Sequence, residues 1–490
     1  MEPLFKETIM RREWFDKNPL KVLSLLGQIH EDAGLAFLKM PTLRQVQDFI
    51  YNHRRHVFKL ELGKSQNKIL NLLSNFEINA ADTKSMFVIY KDLDPDRFLI
   101  VFSSMRLMQN YEEGMKVNKE PFIHIDTTYK ISNVGLFLMI MGTEDPNHHF
   151  RFISLALTSK ENTSAYSRFI KYTRESINSY FNITVKPSFV LSDGADSILA
   201  ACQLEFGNEY CHLLCYFHLI QAIERQVKKK SVSPFSASIF WGIKCMKETA
   251  TKEEFDELWS RIVKPYWSAK GIDEGFIAYF EKEYVNRGFR WHDGAAFDGK
   301  NRTNNSLEAF NNVIKQAYTH RTRHGFYQLI SILDRITRDY STIMDQSFNA
   351  VRIEKKVWLD SEVLSRSKQV AFLETPGGSY GLFGRKNRPP GLTKERMDNY
   401  LAEKDLEILT MEDLYWYRKT LWVVDFGNFQ CKCHKFISKS YCKHSLASKL
   451  HAGVVVSPHT SNIEAQHPKK GRPKEVGPAL DKEEPPYIYM

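Results

Sequence analysis

A succession of strand-like segments over residues 121–192 constrains the fold more than any other feature of this sequence. The segments PFIHIDTTYK, LFLMIMGTED and RFISLALTS are runs of β-branched and aromatic residues separated by turn signals. The helical pattern TSAYSRFIKYTRESINSYF follows, and KPSFVLSDGAD is then a further apolar strand that ends at Asp-Gly. Three strands, a helix and a fourth strand predict an α/β layer built on a mixed sheet.

Helical patterns flank this layer. Residues 1–115 are expected to form a helical segment, in which PTLRQVQDFIYNHRRHVFKL combines helical spacing with a basic face that an ordinary solvated helix would also show. Residues 231–300 are expected to be a helical insertion within a domain that spans 116–345. Residues 346–415 are expected to be a helical linker, interrupted by an exposed Gly- and Pro-rich loop, TPGGSYGLFGRKNRPPG.

Length and composition bound the class of protein. With 490 residues, of which 43% are hydrophobic, the chain can bury a sizeable core in two to four domains. Apolar runs such as VGLFLMIMG are shorter than the roughly 20 residues that span a bilayer, and the first residues lack a signal-peptide core. We therefore expect a soluble, intracellular protein with no membrane contact. The formal net charge of +10 favours an anionic partner, although many proteins that bind no nucleic acid are also mildly basic.

Two of the predicted strands end in an aspartate. FIHID and SFVLSD place Asp126 and Asp193 where strand gives way to turn, and an ordinary turn residue is the alternative for each. Neighbouring strands lie about 4.8 Å apart, so adjacent strands would bring both carboxylates to one sheet edge. There they can share divalent cations about 3.5–4 Å apart. Glu308, on the first turns of the helix in TNNSLEAFNN, can supply a third carboxylate, and the preceding polar run supplies caps.

Three segments around these acids carry a family resemblance. DTTYK, LSDGADSILAACQLEFGNEYCHLLCYFHLIQAI and NRTNNSLEAFNNVIK, in this order, resemble the catalytic domain of Mutator-like (MULE) transposases over roughly residues 115–345. The resemblance implies a ribonuclease H-like fold and a triad of Asp126, Asp193 and Glu308 that binds two Mg²⁺ or Mn²⁺ ions. CYFH matches the family's C-x-x-H element at Cys215 and His218, for which an accessory site and simple packing are the alternatives.

The last cysteines form a separate motif. CKCHKFISKSYCKH places Cys431, Cys433, Cys442 and His444 in a C-x-C-x8-C-x-H pattern, a complete tetrahedral set for structural Zn²⁺. The pattern resembles the SWIM zinc finger that accompanies MULE transposases, here over residues 416–455, with a hairpin from LWVVDFGNFQ. Chance clustering of cysteines is the alternative, and His434 is a competing ligand outside the pattern.

The polar, Pro-rich segment 456–490 cannot bury enough apolar surface to fold alone. Within it, KKGRPK resembles an AT-hook core that would contact the minor groove of A·T-rich DNA. Its four cations are Lys469, Lys470, Arg472 and Lys474. A generic basic tail or a nuclear localisation signal is the alternative.

The resemblance implies a DNA transposase that cleaves element ends and transfers the exposed strand to target DNA. Double-stranded DNA would be its partner, a homo-oligomer on DNA ends its working form and the nucleus its location. The alternatives are a host-adopted, non-catalytic derivative that binds DNA or protein, and an adaptor that makes protein contacts through the zinc finger. No cysteine precedes Cys202. Recognition of terminal repeats is therefore expected in the helical first segment, the SWIM region or a part outside this sequence.

Overall fold

The computed structural model contains two compact units, one built on residues 1–352 and the other on residues 353–388, 421–431 and 442–490. The structure describes residues 1–11, 19–34, 38–117, 122–145, 147, 149–229, 232–249, 251–287, 290–295, 305–343, 353–366, 370–375, 378–384, 421–431, 433, 435–436 and 441–458. Within these ranges, no helix is both long enough and apolar enough to cross a membrane.

A seven-stranded mixed sheet lies at the centre of the first unit, which confirms the predicted α/β layer. In spatial order its strands are β1 (Phe87–Asp92), β2 (Leu99–Ser103), β5 (Phe150–Thr158), β4 (Phe137–Glu144), β3 (Phe122–Thr128), β6 (Phe189–Ser192) and β7 (Cys211–Leu214). Neighbours from β1 across to β3 are antiparallel, whereas β3, β6 and β7 run parallel. Every residue of β3, β5 and β6 is buried, because helices cover both faces of the sheet.

Residues 1–115 are only partly helical, which corrects the sequence-based expectation. The helices are α1 (Pro3–Arg11), α2 (Pro19–Asp32), α3 (Leu43–Leu73) and, starting within this span, α4 (Met105–Val117). Residues 87–103 instead supply β1 and β2, because FVIYKD and LIVFS are β-branched and aromatic runs that extend the sheet beyond β5.

Side chains along β3 point alternately to the two faces of the sheet, and each face is covered by different helices. Ile123 and Ile125 pack on one face with α5 (Thr163–Phe181) and α6 (Asp196–Phe206). The opposite face of the sheet is covered by α12 (Asn305–Val313), α13 (Phe326–Ile343) and the end of α3. Because successive strand residues point to opposite faces, Asp126 lies on the face that α12 covers.

The predicted helical insertion is helical in the described residues between 232 and 287. It follows α7 (Tyr216–Val227) and contains α8 (Ser236–Lys247), α9 (Lys252–Glu257), α10 (Lys264–Ala269) and α11 (Glu274–Phe280). Its core is rich in tryptophan, with Trp259, Trp267 and Trp291 packed among other aromatic rings. At its end Arg290 pairs with β7, so the insertion returns to the edge of the sheet.

A small three-stranded antiparallel sheet belongs to the second unit. Its strands are β8 (Val370–Thr375), β9 (Gly378–Gly384) and β10 (Leu421–Asp425), with β9 in the middle, and its helices are α14 (Lys355–Ser365) and α15 (Lys443–His451). The helical linker with an exposed Gly-rich loop is therefore wrong for residues 370–384. VAFLET and SYGLFG form paired antiparallel strands there, because both are rich in the aromatic and aliphatic residues that favour strands. Residues 385–420 and 459–490, including the four cations of the predicted tail motif, lie outside the described residues.

Candidate metal centre at the sheet edge and the Cys3His cluster

The parallel pairing of β3 with β6 brings two of the predicted acids to one edge of the sheet. His124 lies opposite Leu191, and each strand reaches its aspartate two residues later. Asp126 is buried at 8% exposure, and Asp193 is half-buried at the turn after β6, where its Oδ1 accepts a hydrogen bond from Ala195 N at 3.0 Å. Strand alignment therefore assembles the pair from residues far apart in the sequence.

Asp126 has a strongly perturbed environment. Its Oδ1 accepts a hydrogen bond from Thr127 N at 2.8 Å, and its Oδ2 accepts one from Asn311 Nδ2 at 2.9 Å. Burial, and then the negative charge of Asp193, raise the pKa of Asp126 to about 7, although the Thr127 hydrogen bond acts in the opposite direction. Smaller contributions come from Glu308 and a further carboxylate, Glu161. Like charges at such a site repel one another, and a divalent cation would relieve that repulsion.

Glu308 reaches the same region from α12. Its charge contributes to the raised pKa of Asp126, and burial raises its own pKa while the nearby His218 lowers it. Its Oε1 lies 3.8 Å from His218 Nε2 and 4.0 Å from Cys215 Sγ. The three acids predicted from the sequence thus interact electrostatically. The predicted helix caps Thr303 and Asn304 lie outside the described residues.

Sequence reasoning missed Asn311, which is buried and holds Asp126 through its amide. Its Oδ1 is buried and has no hydrogen-bond partner among the described residues. Asn311 lies three residues after Glu308, and residues three apart share a helix face, so this spacing was the signal that could have identified it. One face of α12 therefore supplies both a carboxylate and the amide that orients a second carboxylate.

A fourth carboxylate, Glu161, was also missed, and it lies in a tyrosine network. Tyr129 donates to both of its oxygens at 2.8 and 2.7 Å, and Tyr166 donates to its Oε1 at 2.8 Å. Tyr166 also shares a hydrogen bond of 2.7 Å with Thr127 Oγ1, next to Asp126. Burial is the main cause that raises the pKa of both tyrosines, which keeps them as neutral donors. The network fixes the end of β3 that carries Asp126.

A buried histidine supports the turn that carries Asp193. His212 Nε2 and Ser192 Oγ share a hydrogen bond of 2.7 Å, and Gly194 N donates to the same hydroxyl at 3.3 Å. Burial lowers the pKa of His212 to about 3, so it is neutral in this setting. Gly194 has a φ of 84°, a conformation that glycine adopts without strain. The buried His124 is instead paired with a carboxylate, because its Nε2 lies 2.6 Å from Glu144 Oε1.

Three cations lie close to this acidic edge. Lys315 follows Glu308 on the next two turns, and burial lowers its pKa while the charge of Asp126 raises it. Lys130 and Arg321 lower it further, so the three positive charges are neighbours. The backbone fixes their loops together, because His324 N donates to Ile131 O at 3.0 Å and Asn133 N donates to His324 O at 3.0 Å. Carboxylates that could bind a metal cation thus lie beside basic side chains that could bind an anion.

The second predicted metal site is a compact cluster. The ligand atoms of Cys431, Cys433, Cys442 and His444 all lie within 4.8 Å of one another, and all four side chains are buried. His444 Nδ1 lies 3.8 Å from both Cys431 Sγ and Cys442 Sγ. Three soft sulfur atoms and one imidazole nitrogen at these distances fit a tetrahedral Zn²⁺ ion. The competing ligand His434 lies outside the described residues.

Backbone amides support the sulfur atoms of this cluster. Ser445 N donates to Cys442 Sγ at 3.3 Å, and Phe436 N donates to Cys433 Sγ at 3.4 Å. Cys442 is also the N-cap of α15. The predicted hairpin is present, because Val424 of β10 pairs antiparallel with Cys431 across the turn. Such outer hydrogen bonds orient metal ligands and stabilise negative charge on sulfur.

Part of the chain matches a known protein family. A family model described as MULE transposase domain matches residues 122–222. The matched span begins at the first residue of β3 and ends within α7, and it includes Asp126, Asp193, Cys215 and His218. No curated protein matches this chain.

Proposed function

We propose that this chain, whose residues 122–222 match a family model described as MULE transposase domain, is a transposase that cleaves DNA strands with divalent metal ions held by Asp126, Asp193 and Glu308. The carrying observation is the convergence of the three acids from β3, the turn after β6 and α12, with a raised pKa at Asp126. A transposase domain also implies DNA as the partner. The ribonuclease H-like fold implied by the sequence resemblance belongs to this proposal, and the mixed sheet with its acidic edge supports it.

The donor set fits Mg²⁺ or Mn²⁺. Both ions prefer oxygen ligands, and Mg²⁺ sites in proteins commonly combine one or two carboxylates with water and phosphate oxygens. When bound, two such ions activate a water or a 3′-hydroxyl and stabilise the leaving oxygen. The protein's own part is orientation: Thr127 and Asn311 fix the two oxygens of Asp126, and the hydrogen-bonded turn after Ser192 fixes Asp193.

The cations beside the acids support DNA as the substrate. Burial lowers the pKa of Lys315, and the neighbouring charges of Lys130 and Arg321 lower it further, so an anionic phosphate would relieve the repulsion among these three cations. Lys130 and Arg321 are exposed and Lys315 is half-buried, so a backbone phosphate can reach them. Cations of this kind position the nucleic-acid backbone without reading its sequence.

The Cys3His cluster completes the proposal as a structural zinc site of the SWIM type. Its four buried ligands leave no open position for a reacting water, so its role would be to hold β10 and α15 together. A nuclear location and a homo-oligomer on DNA ends follow only from the proposed activity. The AT-hook-like contact of Lys469, Lys470, Arg472 and Lys474 with DNA stays a prediction from the sequence.

A nicking assay tests this function. Supercoiled plasmid and duplexes carrying the DNA sequences that flank the gene are incubated with the full-length protein and Mg²⁺ or Mn²⁺. Wild type should nick the DNA, Asp193→Ala should not, and Glu209→Ala, which removes an exposed acid elsewhere on the surface, should match wild type. A folded wild-type protein that binds DNA but never nicks it would replace this proposal with the host-adopted, non-catalytic derivative.

A further inference from the structure

A second group of possible ligands adjoins the acidic edge. Cys215, His218 and Glu308 each direct one ligand atom into a space in which these atoms lie within 4.8 Å of one another. The first two come from the start of α7 and the third from α12, so two packed elements build the group. Cys215 is fully buried, whereas the side chains of His218 and Glu308 are 30% and 25% exposed.

The nitrogen–oxygen distance in this group is longer than a direct hydrogen bond, and the sulfur–oxygen distance is at the long limit of a thiol hydrogen bond. Glu308 Oε1 lies 3.8 Å from His218 Nε2 and 4.0 Å from Cys215 Sγ, and a nitrogen–oxygen hydrogen bond is about 2.7–3.2 Å. Bonds of about 2.0–2.3 Å from a tetrahedral Zn²⁺ place neighbouring ligand atoms about 3.3–3.8 Å apart. A small contraction of the group would therefore accommodate such an ion.

The surroundings favour a bound cation over simple packing. Cys215 is the N-cap of α7, where the helix dipole favours a negative charge such as a thiolate. A simple packing contact gives no reason for a thiol, an imidazole and a carboxylate to converge on one point.

The chemistry of this group differs from that of the aspartate pair. Thiolate and imidazole are ligands for Zn²⁺ and similar transition ions, whereas Mg²⁺ prefers oxygen. Both close contacts of Glu308 involve its Oε1, so its other oxygen remains for the aspartate side. Three protein ligands also leave a fourth position open, as in zinc sites that bind water or substrate.

We propose that Cys215, His218 and Glu308 form a binding site for a zinc-class divalent ion, distinct from the Mg²⁺ site of the aspartates and joined to it by Glu308. The proposal goes beyond strand cleavage by the acids, because it assigns the C-x-x-H pair a metal of its own. It is tested by metal binding alone, so its failure leaves the proposed cleavage activity untouched.

Cobalt spectroscopy of the full-length protein gives the test. Co²⁺ bound to thiolate has an intense near-ultraviolet charge-transfer band, and carboxylates contribute nothing to it. The starting protein carries Cys431→Ser, Cys433→Ser and Cys442→Ser, which removes the C-terminal cluster, and the titration contains excess Mg²⁺ to occupy the oxygen ligands. A residual charge-transfer band should remain, with about one Co²⁺ per chain.

The ligands are then removed one at a time in that background. Cys215→Ala should abolish the residual band, and His218→Gln should weaken Co²⁺ binding at least about 10-fold. Cys202→Ala is the matched control, since it removes another fully buried cysteine that belongs to neither cluster, and it should keep the band. Circular dichroism checks that each variant is folded, and His218→Gln serves alone if Cys215→Ala fails to fold.

Either of two results in the Co²⁺ titrations would overturn the proposal, and a Zn²⁺ competition adds a third test. One is the absence of a residual band in the folded background protein at saturating Co²⁺. The other is a band that survives in folded Cys215→Ala, or Co²⁺ binding that His218→Gln leaves as tight as in the background protein. Zn²⁺ competition should remove the band in the background protein, and a band that excess Zn²⁺ leaves intact would also contradict a zinc-class site.

Discussion

The acidic edge of the large sheet and the Cys3His cluster are assembled in opposite ways. The acids come from a strand, a turn and a helix that lie far apart in the sequence, and hydrophobic packing brings them together. The four ligands of the cluster lie within the single segment Cys431–His444, next to a small three-stranded sheet. The first site is thus a product of the fold, whereas the second site is expected to hold its fold together.

The two sites also differ in how they hold their negative charges before metal binds. A preformed frame forces Asp126 and Asp193 together and raises the pKa of Asp126, so the metal-free site is destabilised by its own charges. In the cluster, hydrogen bonds from Ser445 and Phe436 stabilise sulfur that must lose protons to bind metal. Removal of divalent metal ions from the acidic edge should therefore leave the large unit folded. Removal of Zn²⁺ from the Cys3His cluster should unfold much of the small unit.

The largest expected effect is therefore on the cluster. Cys442→Ser should release about one Zn²⁺ per chain and unfold residues 421–458, because metal binding and folding are coupled in so small a module. The large sheet should keep its own thermal transition. Metal analysis with hydrogen exchange on wild type and Cys442→Ser checks this, with Cys245→Ser as the control for loss of a buried cysteine elsewhere. Purified wild-type protein without zinc would refute the zinc-finger interpretation.

Asn311 gives the next largest effect, on the acidic edge alone. Asn311→Ala removes the amide that holds Asp126 Oδ2, and loss of such an outer contact typically weakens metal binding or activity about 10- to 100-fold. The Mg²⁺ concentration that half-activates nicking should rise by about this factor. Asn312→Ala changes the exposed neighbour on the same helix and should leave this Mg²⁺ concentration unchanged. Equal curves for the two variants would remove Asn311 from the site.

Asp126→Asn sharpens the electrostatic side of the comparison. In chelator, folded Asp126 retains a proton up to pH about 7, whereas the unfolded residue releases it near 3.8. The folded state thus binds more protons between these values, and the stability contributed by Asp126 falls as pH rises from about 4 to 7. The variant should be more stable than wild type by about 1–3 kcal/mol at pH 8, with no gain at pH 4. Denaturant unfolding at both pH values measures this, and a gain that is independent of pH would contradict the charge explanation.

The smallest effect concerns the basic tail. Deletion of residues 467–490 removes Lys469, Lys470, Arg472 and Lys474 among other residues, and should weaken DNA binding and reduce its salt slope by up to about four. Thermal stability of both units should be unchanged. An unaltered salt slope would remove the tail from the DNA interface and leave nuclear import as its better-supported role.

Sequence reasoning predicted the mixed sheet and the strands that carry Asp126 and Asp193 because both depend on local patterns. The apolar runs that lead into aspartate are visible in FIHID and SFVLSD, although β3 continues past Asp126 to Thr128, and the cysteine motif is contiguous. Residues 87–103, 370–375 and 378–384 were misassigned because their strands lie beside helical or Gly-rich stretches, although their β-branched, aromatic and aliphatic residues already favour strands.

The contacts between distant elements could not be predicted in the same way. Glu161 has no motif, and its position beside Asp126 depends on Tyr129 and Tyr166. The contact of Asn311 with Asp126 likewise depends on how α12 packs across the sheet. Such contacts depend on how the helices and strands pack together. A pattern along the chain can indicate one residue of each contact but does not identify its distant partner.

The most direct test of the central claim is a set of melting curves with and without Mg²⁺. Binding to the folded state alone raises stability by RT ln(1 + [L]/Kd), so Mg²⁺ should raise the melting temperature of wild type. Asp126→Ala, Asp193→Ala and Glu308→Ala should each lose most of this increase, while their metal-free forms melt at or above the wild-type temperature because repulsion is relieved. If Mg²⁺ stabilises the three variants as much as wild type, the acids do not hold the metal and the assignment of the site is wrong.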